Sequence, residues 1–502
     1  MIFLRVYFGI RKMNTTTETY TRFIQRSNAL YNNKLTVKQH QVDGVNWLVK
    51  NEQFGGGFLC DDMGLGKTLM MIMTCLVRFR TRTLIVLPSA ILYQWHSEFK
   101  RITGHDCLVF HGPKRKRISM NVLLNAPFVL TTYHCLSRKK ADVVAGNKPT
   151  CMLHDVVWDR VVFDEAHHLR NKNCMFYGAQ TLRKTVSWFI SGTPIQNRLS
   201  DFSNLCSVHM IDKRNVPILR RSKADVGIDL IPADYHNVDV DWNNTEELAL
   251  AKQAHFDMRN AHTIENYIVA MQLCKQSCIY PKLLKKNMKH LSRNFIPDEN
   301  NEDDDLVSAD FERVVWDQHS KLDAVVDVLY QRRSNQAGKI VFCHYKAEMD
   351  YLKQALLAKN MTVTCFDSSY TPEKRDGVLR GGFLPIGHSI YDLPPELSRH
   401  INSFLLSDVT ILQIRSSCEG LNLQNKYAEV YFVGPCWNPS VEKQAIARCH
   451  RIGQKKKVHV FRFYMKDFPD DDLDVKNMDQ YILRTQHNKI KMIDHFYQKT
   501  NI

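Results

Sequence analysis

Short, mainly apolar runs, each followed by a polar turn, recur along the first half of the chain. The clearest are Thr83–Leu87, Phe128–Thr131 and Arg160–Phe163. Runs of this length without strict polar alternation are typical of parallel strands that are buried on both faces. The pattern therefore predicts an α/β unit around a parallel sheet between Leu35 and Asp225.

The same pattern returns between Ser320 and Met465. Here the strand candidates are Lys339–Phe342, Val409–Ile414 and Ala428–Val433. A chain of 502 residues is long enough for about two to four domains of ordinary size. Two successive patterns therefore predict an α/β fold with two doubly wound lobes, each around its own parallel sheet.

The segment between the two patterns has a different composition. Thr245 to Lys289 is predicted to be helical, and Asp298–Asp305 is acidic and asparagine-rich, which suits a flexible linker. The predicted organisation has five parts: an N-terminal arm at 1–34, a first lobe at 35–225, a helical bridge with the acidic linker at 226–318, a second lobe at 319–466 and a C-terminal helical brace at 467–502.

Charge and hydropathy restrict the partners. No apolar run approaches the length of about 18 residues that a membrane span needs, so we expect no membrane partner. Lys and Arg total 68 while Asp and Glu total 52, which gives a net charge of +16. A basic excess of this size favours binding to nucleic acid, because phosphates that are neutralised by Lys and Arg release their condensed counterions. A basic but inert surface is the alternative.

The 14 cysteines are scattered, and none forms a Cys-x-x-Cys pair. The closest spacing is that of Cys274 and Cys278. This pattern argues against a zinc ribbon and against a disulfide framework, and it fits reduced thiols in a cytosolic or nuclear protein. His167 and His168 have no third ligand at a suitable spacing, so no zinc is predicted.

The strongest local motif is the glycine loop Gly64–Thr68, which follows an apolar strand and precedes the helix-like run Leu69–Met73. Glycines let backbone N–H groups close around phosphate oxygens at a helix N-terminus. In such a loop Lys67 holds the β- and γ-phosphates of ATP and Thr68 ligates Mg²⁺. Asp61 stands where the general pattern has its first glycine, so the loop alone also fits an ordinary turn.

A second motif lies about one hundred residues further on. The apolar strand that contains Val161–Phe163 ends in Asp164 and Glu165. In a nucleotide site Asp164 holds Mg²⁺ through water, and Glu165 orients and deprotonates the attacking water. The alternative is a strand that ends in a solvated acidic turn.

A third motif, Gln444–Gln454, contains two arginines that are three residues apart. Arg448 and Arg451 share one face if this run is helical. Two arginines presented together suit the negative charge that develops on a γ-phosphate. A solvated basic face is the alternative.

Together these motifs resemble the Swi/Snf-type ATPases, the DNA translocases of helicase superfamily two. Further segments match the family in order, from about Leu35 to Lys489: the glutamine segment around Gln41, Leu84–Ser89 with Trp95, Thr131–Tyr133, Ser191–Asn197, Leu219–Lys223, Cys278–Leu283, Gly420–Leu423 and Trp437–Pro439. The family's phosphate loop itself carries an acidic residue at the position of Asp61. The resemblance implies two RecA-like lobes.

The resemblance also implies roles for individual residues. The implied ATP-binding residues are Gln41, Asp61, Asp62, Met63, Gly64, Leu65, Gly66, Lys67 and Thr68. The implied DEAH box is Asp164, Glu165, Ala166 and His167, and the implied coupling residues are Ser191, Gly192 and Thr193. Thr68 and Asp164 are the implied Mg²⁺ ligands, and Lys67, Asp164, Glu165, Arg448 and Arg451 are the implied catalytic residues.

The function implied by the resemblance is ATP-driven movement on double-stranded DNA in transcription activation or chromatin remodelling. The compact length is most similar to the viral members of the family, the global transactivators of baculoviruses. Duplex DNA, chromatin and the transcription machinery are then the expected partners, and the nucleus, or the host nucleus of a virus, is the expected location. An RNA helicase and a DNA-binding transcriptional scaffold with a vestigial ATPase are the alternatives.

Several departures from the family pattern bear on this function. The stretch from Asn197 to Arg220 is shorter than usual, which puts nucleosome remodelling in question. Residues 376–398 form an insertion in the second lobe. Gly434 and Ala447 stand where acidic residues are usual, and they are expected to slow turnover without removing a group that hydrolysis needs.

The basic cluster Pro113–Arg117 has three interpretations. It fits a nuclear import signal, a loop that contacts DNA phosphates, or a solvated surface.

Overall fold

The computed structural model describes residues 36–209, 215–284, 319–366, 407–414, 423–469 and 476–500. The predicted N-terminal arm, the acidic segment Asp298–Asp305, the insertion at 376–398 and Gly420–Asn422 lie outside the described residues. The chain divides into two compact units. We call residues 1–229 together with 491–502 lobe one, and residues 230–490 lobe two.

Lobe one is built on a sheet of seven parallel strands in the order β3-β4-β2-β5-β6-β1-β7. The strands are β1 (Gly56–Leu59), β2 (Thr83–Leu87), β3 (Leu108–Phe110), β4 (Phe128–Thr132), β5 (Val157–Asp164), β6 (Arg183–Ile190) and β7 (Ile218–Leu219). Alternate residues of a strand face opposite sides of the sheet. Accordingly, Ile85 and Leu87 of β2 pack into one core, and Leu84 and Val86 pack into the other.

Helices cover both faces of this sheet, as a parallel sheet requires. They are α1 (Gln39–Asn51), α2 (Lys67–Val77), α3 (Leu92–Thr103), α4 (Met120–Asn125), α5 (Tyr133–Leu136), α6 (Lys140–Val144), α7 (Cys174–Gln180) and α8 (Ser200–His209). Helices α1, α2 and α3 supply one core, and α5, α7 and α8 supply the other. The sheet is thereby held between two apolar layers, and its strand ends are left for polar loops.

A buried ion pair fixes strand β5 within lobe one. The Nε atom of Arg160 lies 2.5 Å from Oε1 of Glu52, and neither side chain is exposed. Arg160 also donates to the carbonyl of Arg78 at 2.6 Å, and Trp188 donates to Glu52 at 3.3 Å. Although burial acts to raise the pKa of Glu52, the Arg160 guanidinium holds that pKa below its ordinary value. The carboxylate is therefore charged and paired inside the lobe.

Lobe two has a sheet of six parallel strands in the order β10-β11-β9-β12-β13-β8. The strands are β8 (Asp234–Val240), β9 (Gly338–Cys343), β10 (Val363–Phe366), β11 (Val409–Gln413), β12 (Tyr427–Phe432) and β13 (His459–Met465). The helices are α9 (Thr245–Arg259), α10 (Ile264–Ser277), α11 (Ser320–Gln331), α12 (Lys346–Ala358), α13 (Pro439–Ile446) and α14 (Met478–Thr500). Residues from Lys491 to the end of α14 belong to lobe one.

The predicted α/β class with two parallel-sheet lobes is confirmed. All six strand candidates named from the sequence lie within or overlap observed strands. Strand β8 was not predicted, and it lies in the range 226–318 that was assigned to a helical bridge and linker. In the described part of the chain, no helix combines the length and apolarity required to cross a membrane.

Candidate nucleotide-binding site

Three neighbouring strands of lobe one carry the predicted nucleotide motifs at their carboxyl ends. Strands β5, β6 and β1 are consecutive in the sheet and pair in parallel. They are followed by Asp164–Glu165, Ser191–Thr193 and Cys60–Lys67 respectively. Parallel strands end at the same edge of a sheet, which is where α/β folds bind ligands. Motifs that are far apart in sequence are thereby brought together.

The phosphate loop depends on glycines with left-handed backbone conformations. Gly64 has φ 91° and Gly66 has φ 86°, which L-residues rarely adopt. A Cβ atom on Gly66 would lie 2.3 Å from Nε2 of Gln41. The Gln41 amide donates to the carbonyl of Leu65 at 3.1 Å, so α1 fixes the loop from outside. The structure thus places Gln41, Leu65 and both glycines in one assembly.

Lys67 begins helix α2, and its ammonium folds back into the loop. It donates to the carbonyl oxygens of Asp61 at 2.6 Å and Asp62 at 3.1 Å. Burial lowers the pKa of Lys67, and the nearby carboxylates of Glu165, Asp61 and Asp164 oppose that change. The positive charge is therefore held among acidic groups at the edge where the motifs meet.

Arg221 holds the phosphate loop in place. Its Nη2 and Nε atoms contact the buried carboxylate of Asp61 at 2.6 and 3.1 Å, a bidentate ion pair. Its Nη1 atom donates to the carbonyl of His40 at 2.6 Å, and its Nη2 atom lies 3.5 Å from Sδ of Met70. One guanidinium thus joins α1, the loop and α2. Asp61 was predicted to bind ATP. Its carboxylate is paired with Arg221, and its backbone carbonyl accepts a hydrogen bond from the Lys67 ammonium.

The next two loop residues have different surroundings. Asp62 donates its backbone N–H to the carbonyl of Arg221 at 2.9 Å and accepts from the backbone N–H of Lys223 at 3.3 Å. Met63 is half-buried, and its side chain approaches Gly192. Segment 219–223 therefore lines the outer side of the phosphate loop within lobe one.

Three hydrogen bonds fix Asp164 at the end of β5. Trp95 Nε1 donates to Oδ2 at 2.6 Å, the backbone N–H of Glu165 donates to Oδ1 at 2.9 Å, and the Tyr133 hydroxyl donates to the carbonyl oxygen at 2.7 Å. Burial and the charge of Glu165 raise the pKa of Asp164 to about 7. Ionisation of the Asp164 carboxylate is costly without a cation beside it. A bound cation would offset this cost, so the carboxylate is a favourable site for a metal ion.

Glu165 adopts an uncommon backbone conformation, with φ 48° in the left-handed region. Such a conformation in a residue other than glycine costs of order 1–3 kcal/mol and concentrates at functional sites. The Oε2 atom of Glu165 lies 3.3 Å from Nδ1 of His167. Ala166 is fully buried, and the His167 and His168 rings stack at 4.8 Å. The predicted DEAH box is therefore a strained turn in which the Glu165 carboxylate lies beside the His167 ring.

The predicted coupling residues lie beside the phosphate loop. The backbone N–H of Ser191 donates to the carbonyl of Leu59 at 3.2 Å. A Cβ atom on Gly192 would lie 3.3 Å from Met63 and 3.6 Å from Nζ of Lys67. The absence of a side chain at Gly192 therefore leaves room for the loop.

The predicted DEAH box is connected to the predicted coupling residues by Gln196, which belongs to the matched segment Ser191–Asn197, and by Arg170, which no sequence motif singled out. Arg170 donates to the carbonyl of His167 at 3.3 Å and to Oε1 of Gln196 at 2.5 Å. Gln196 in turn donates to Oγ1 of Thr193 at 3.2 Å. Three hydrogen bonds through these two side chains therefore link the two segments.

In lobe two the two arginines lie close together, but not on a helix. Helix α13 ends at Ile446, and the residues that follow form turns. The carbonyl of Arg448 accepts from Leu423 at 3.1 Å, which ties this turn to the end of the Gly420–Leu423 segment. Burial, together with the charge of Arg448, lowers the pKa of Arg451 to about 10. The condition for a shared helical face is therefore not met, although the charge of Arg448 still acts on Arg451.

Comparison with known proteins is consistent with this site. Residues 40–216 match the family model of the SNF2-related domain. The chain is 25% identical over 484 residues to chromodomain-helicase-DNA-binding protein 6 of Rattus norvegicus, with 87% of this chain and 17% of that protein covered. It is also 25% identical over 506 residues to the uncharacterized ATP-dependent helicase MG018 of Mycoplasma genitalium, with 91% of this chain and 43% of that protein covered. The chain thus spans less than half the length of these relatives.

A solved structure shares the fold. The helicase domain of Hef from Pyrococcus furiosus aligns with a TM-score of 0.50 and 16% identity, covering 89% of this chain and 99% of that chain. The two parallel-sheet lobes therefore have a RecA-like fold. The sequence matches show similarity to a SNF2-related domain, to a chromodomain-helicase-DNA-binding protein and to an ATP-dependent helicase.

Proposed function

We propose that this protein is a DNA-stimulated ATPase that uses ATP hydrolysis to move along duplex DNA. The observation that carries the proposal is the convergence of the glycine loop, Asp164–Glu165 and Ser191–Thr193 on one edge of the lobe one sheet. Taken alone, the glycine loop also fits an ordinary turn, and Asp164–Glu165 also fits a solvated acidic turn. Three unrelated surface turns would have no reason to follow consecutive parallel strands. A nucleotide site, in contrast, needs its motifs at one edge of the sheet.

The residues present fit Mg·ATP. The glycine loop precedes helix α2, Gly64 and Gly66 adopt left-handed conformations that L-residues rarely permit, and Lys67 lies at the helical end of the loop. Thr68 and Asp164 supply the oxygen ligands that Mg²⁺ prefers. We infer that Lys67 contacts the terminal phosphates and that Gln41 contributes to recognition of the base. The metal ion, when bound, neutralises charge on the phosphate oxygens.

Glu165 is the proposed catalytic base. Its backbone strain and the nearby His167 ring orient its carboxylate, so that a water molecule can be held and deprotonated there. Arg448 and Arg451 are the proposed source of positive charge for the transferred phosphoryl group. Arg170 and Gln196 act as positioning residues between the DEAH box and Ser191–Thr193.

Double-stranded DNA is the proposed track. The net charge of +16 favours a polyanion, and every residue of Pro113–Arg117 is exposed. The name of the rat relative states that it is a DNA-binding helicase. Phosphate contacts should dominate, so binding is expected to be salt-sensitive and largely independent of base sequence.

The biological setting is part of the proposal. We infer action in the nucleus on chromatin or on promoter DNA, with the transcription machinery as a partner, and a viral origin similar to the global transactivators. The chromodomain-helicase relatives support chromatin as a substrate. The short segment between Asn197 and Arg220 favours naked duplex DNA over nucleosomes.

The test is steady-state ATP hydrolysis by the full chain with duplex DNA, with double-stranded RNA and with no nucleic acid, at two salt concentrations. The proposal predicts stimulation by duplex DNA that weakens with salt, and loss of turnover in Lys67→Ala. Lys172→Ala, which changes an exposed lysine of lobe one, is the matched control. Stimulation by RNA alone would replace the proposal with an RNA helicase.

A further inference from the structure

Two histidines and one carboxylate meet at the amino ends of two strands in lobe two. Asp234 and His236 are alternate residues of the edge strand β8, so their side chains lie on the same face of the sheet. His459 begins the neighbouring strand β13, and it is directly opposite Asp234 in the parallel register. None of these residues belongs to the proposed nucleotide site.

The three ligand atoms form a compact triangle. His236 Nε2 lies 3.1 Å from His459 Nδ1, and Asp234 Oδ2 lies 3.9 and 3.7 Å from these two nitrogens. A circle through three points with these separations has a radius of about 2.1 Å, which is the usual length of zinc–nitrogen and zinc–oxygen bonds. An ion at the centre of this circle is therefore within bonding distance of all three atoms.

The surroundings hold the ligands while leaving access for an ion. The His236 ring stacks on Phe461 with 4.6 Å between ring centroids, and the parallel pairing of β8 with β13 fixes the two backbones. The side chains of Asp234, His236 and His459 are 40, 37 and 27% exposed. Solvent water can therefore complete the coordination of an ion bound there.

One neighbouring group competes for the same position. The ammonium of Lys457 lies 3.0 Å from Oδ2 of Asp234. The Lys457 side chain is about half exposed, so it can turn into solvent when an ion takes its place. This competition makes a specific prediction, since removal of the lysine charge should strengthen binding of a cation.

We propose that Asp234, His236 and His459 form a binding site for a divalent transition-metal ion, with Zn²⁺ as the ion that best fits two imidazoles and one carboxylate. The bound ion would join the edge strand β8 to its neighbour β13. No zinc was predicted from the sequence, because the search relied on short ligand spacings, whereas His236 and His459 are 223 residues apart. The site does not depend on the proposed ATPase activity.

The test is isothermal titration of the metal-stripped full chain, carrying no affinity histidine tag, with ZnCl₂. The expected result is one high-affinity site per chain and a rise in melting temperature on zinc addition. His236→Gln and His459→Gln should each weaken this site at least tenfold and abolish the thermal shift. His262→Gln, a substitution at an exposed histidine elsewhere in lobe two, is the matched control and should change neither.

Lys457→Gln should have the opposite effect to the histidine substitutions and tighten zinc binding severalfold. Circular dichroism of each variant checks its folding, and the wild-type titration decides the question even if one variant does not fold. The proposal is overturned if the wild-type chain shows no stoichiometric site, or if the site persists unchanged in both folded histidine variants.

Discussion

Arg221→Met tests whether one guanidinium holds the phosphate loop. The substitution leaves the Asp61 carboxylate, which is fully buried, without its bidentate partner, and it removes the hydrogen bond to the carbonyl of His40. Removing one member of a buried ion pair typically costs about 3–5 kcal/mol. Because the Arg221 side chain is 17% exposed, we expect a cost at the lower end of this range, about 3 kcal/mol. This cost corresponds to local opening of the loop that is about 100-fold more frequent.

Hydrogen exchange of peptides that span β1, the phosphate loop and the start of α2 measures this opening directly. Arg220→Met is the matched control, because the exposed guanidinium of Arg220 lies 3.8 Å from the Tyr497 ring and does not contact Asp61. The expected result is fast exchange in the loop of Arg221→Met and near-normal exchange in the control. Loop exchange in Arg221→Met within about threefold of the control would refute the reasoning, since the predicted cost corresponds to a far larger factor.

Three further substitutions follow from the contacts. In lobe two, burial raises the pKa of Glu348 from 4.5 to about 7. The protonated Glu348 therefore contributes its full share of folding stability below about pH 4.5, and this share is lost as the pH rises through about 7. Glu348→Gln should therefore stabilise the protein by up to about 3 kcal/mol at pH 8 relative to pH 5, as measured by thermal unfolding at both pH values. Trp95→Phe removes the hydrogen bond to Asp164, and it should raise the Mg²⁺ concentration needed for half-maximal ATP hydrolysis by about tenfold. Gly66→Ala introduces a Cβ atom 2.3 Å from the Gln41 amide in a left-handed conformation, and titration with a fluorescent ATP analogue should show loss of binding.

Much of the fold could be predicted because buried parallel strands leave a local signal. Thr83–Leu87 and Gly338–Cys343 are mainly apolar runs, and the sequence located the first with the correct bounds and the second to within one residue at each end. Strand β8 was missed because it is an edge strand with the sequence Asp-Tyr-His-Asn-Val-Asp-Val, whose polar residues reflect solvent contact. An edge strand needs no apolar run, so its pairing with β13 becomes visible only in three dimensions.

The residues of the candidate site were predictable, but their supporting contacts were not. The loop and the acidic pair have short sequence signatures, whereas the ion pair of Asp61 with Arg221 joins residues that are 160 positions apart. The hydrogen bond from Trp95 to Asp164 similarly spans 69 positions. Such contacts depend on the order of strands in the sheet, and the spacing of residues along the sequence does not reveal that order. The turn after Ile446 was misjudged because the periodicity of the arginines is also that of a helix.

The central claim is that Glu165 activates water for ATP hydrolysis at the edge of the lobe one sheet. The most direct test is Glu165→Gln in the full chain, with ATP binding and DNA-stimulated turnover measured side by side, and with the exposed pair member Glu98→Gln as control. The account predicts ATP binding close to wild type and turnover reduced by about 100-fold or more. Turnover in Glu165→Gln equal to that of the control would contradict it.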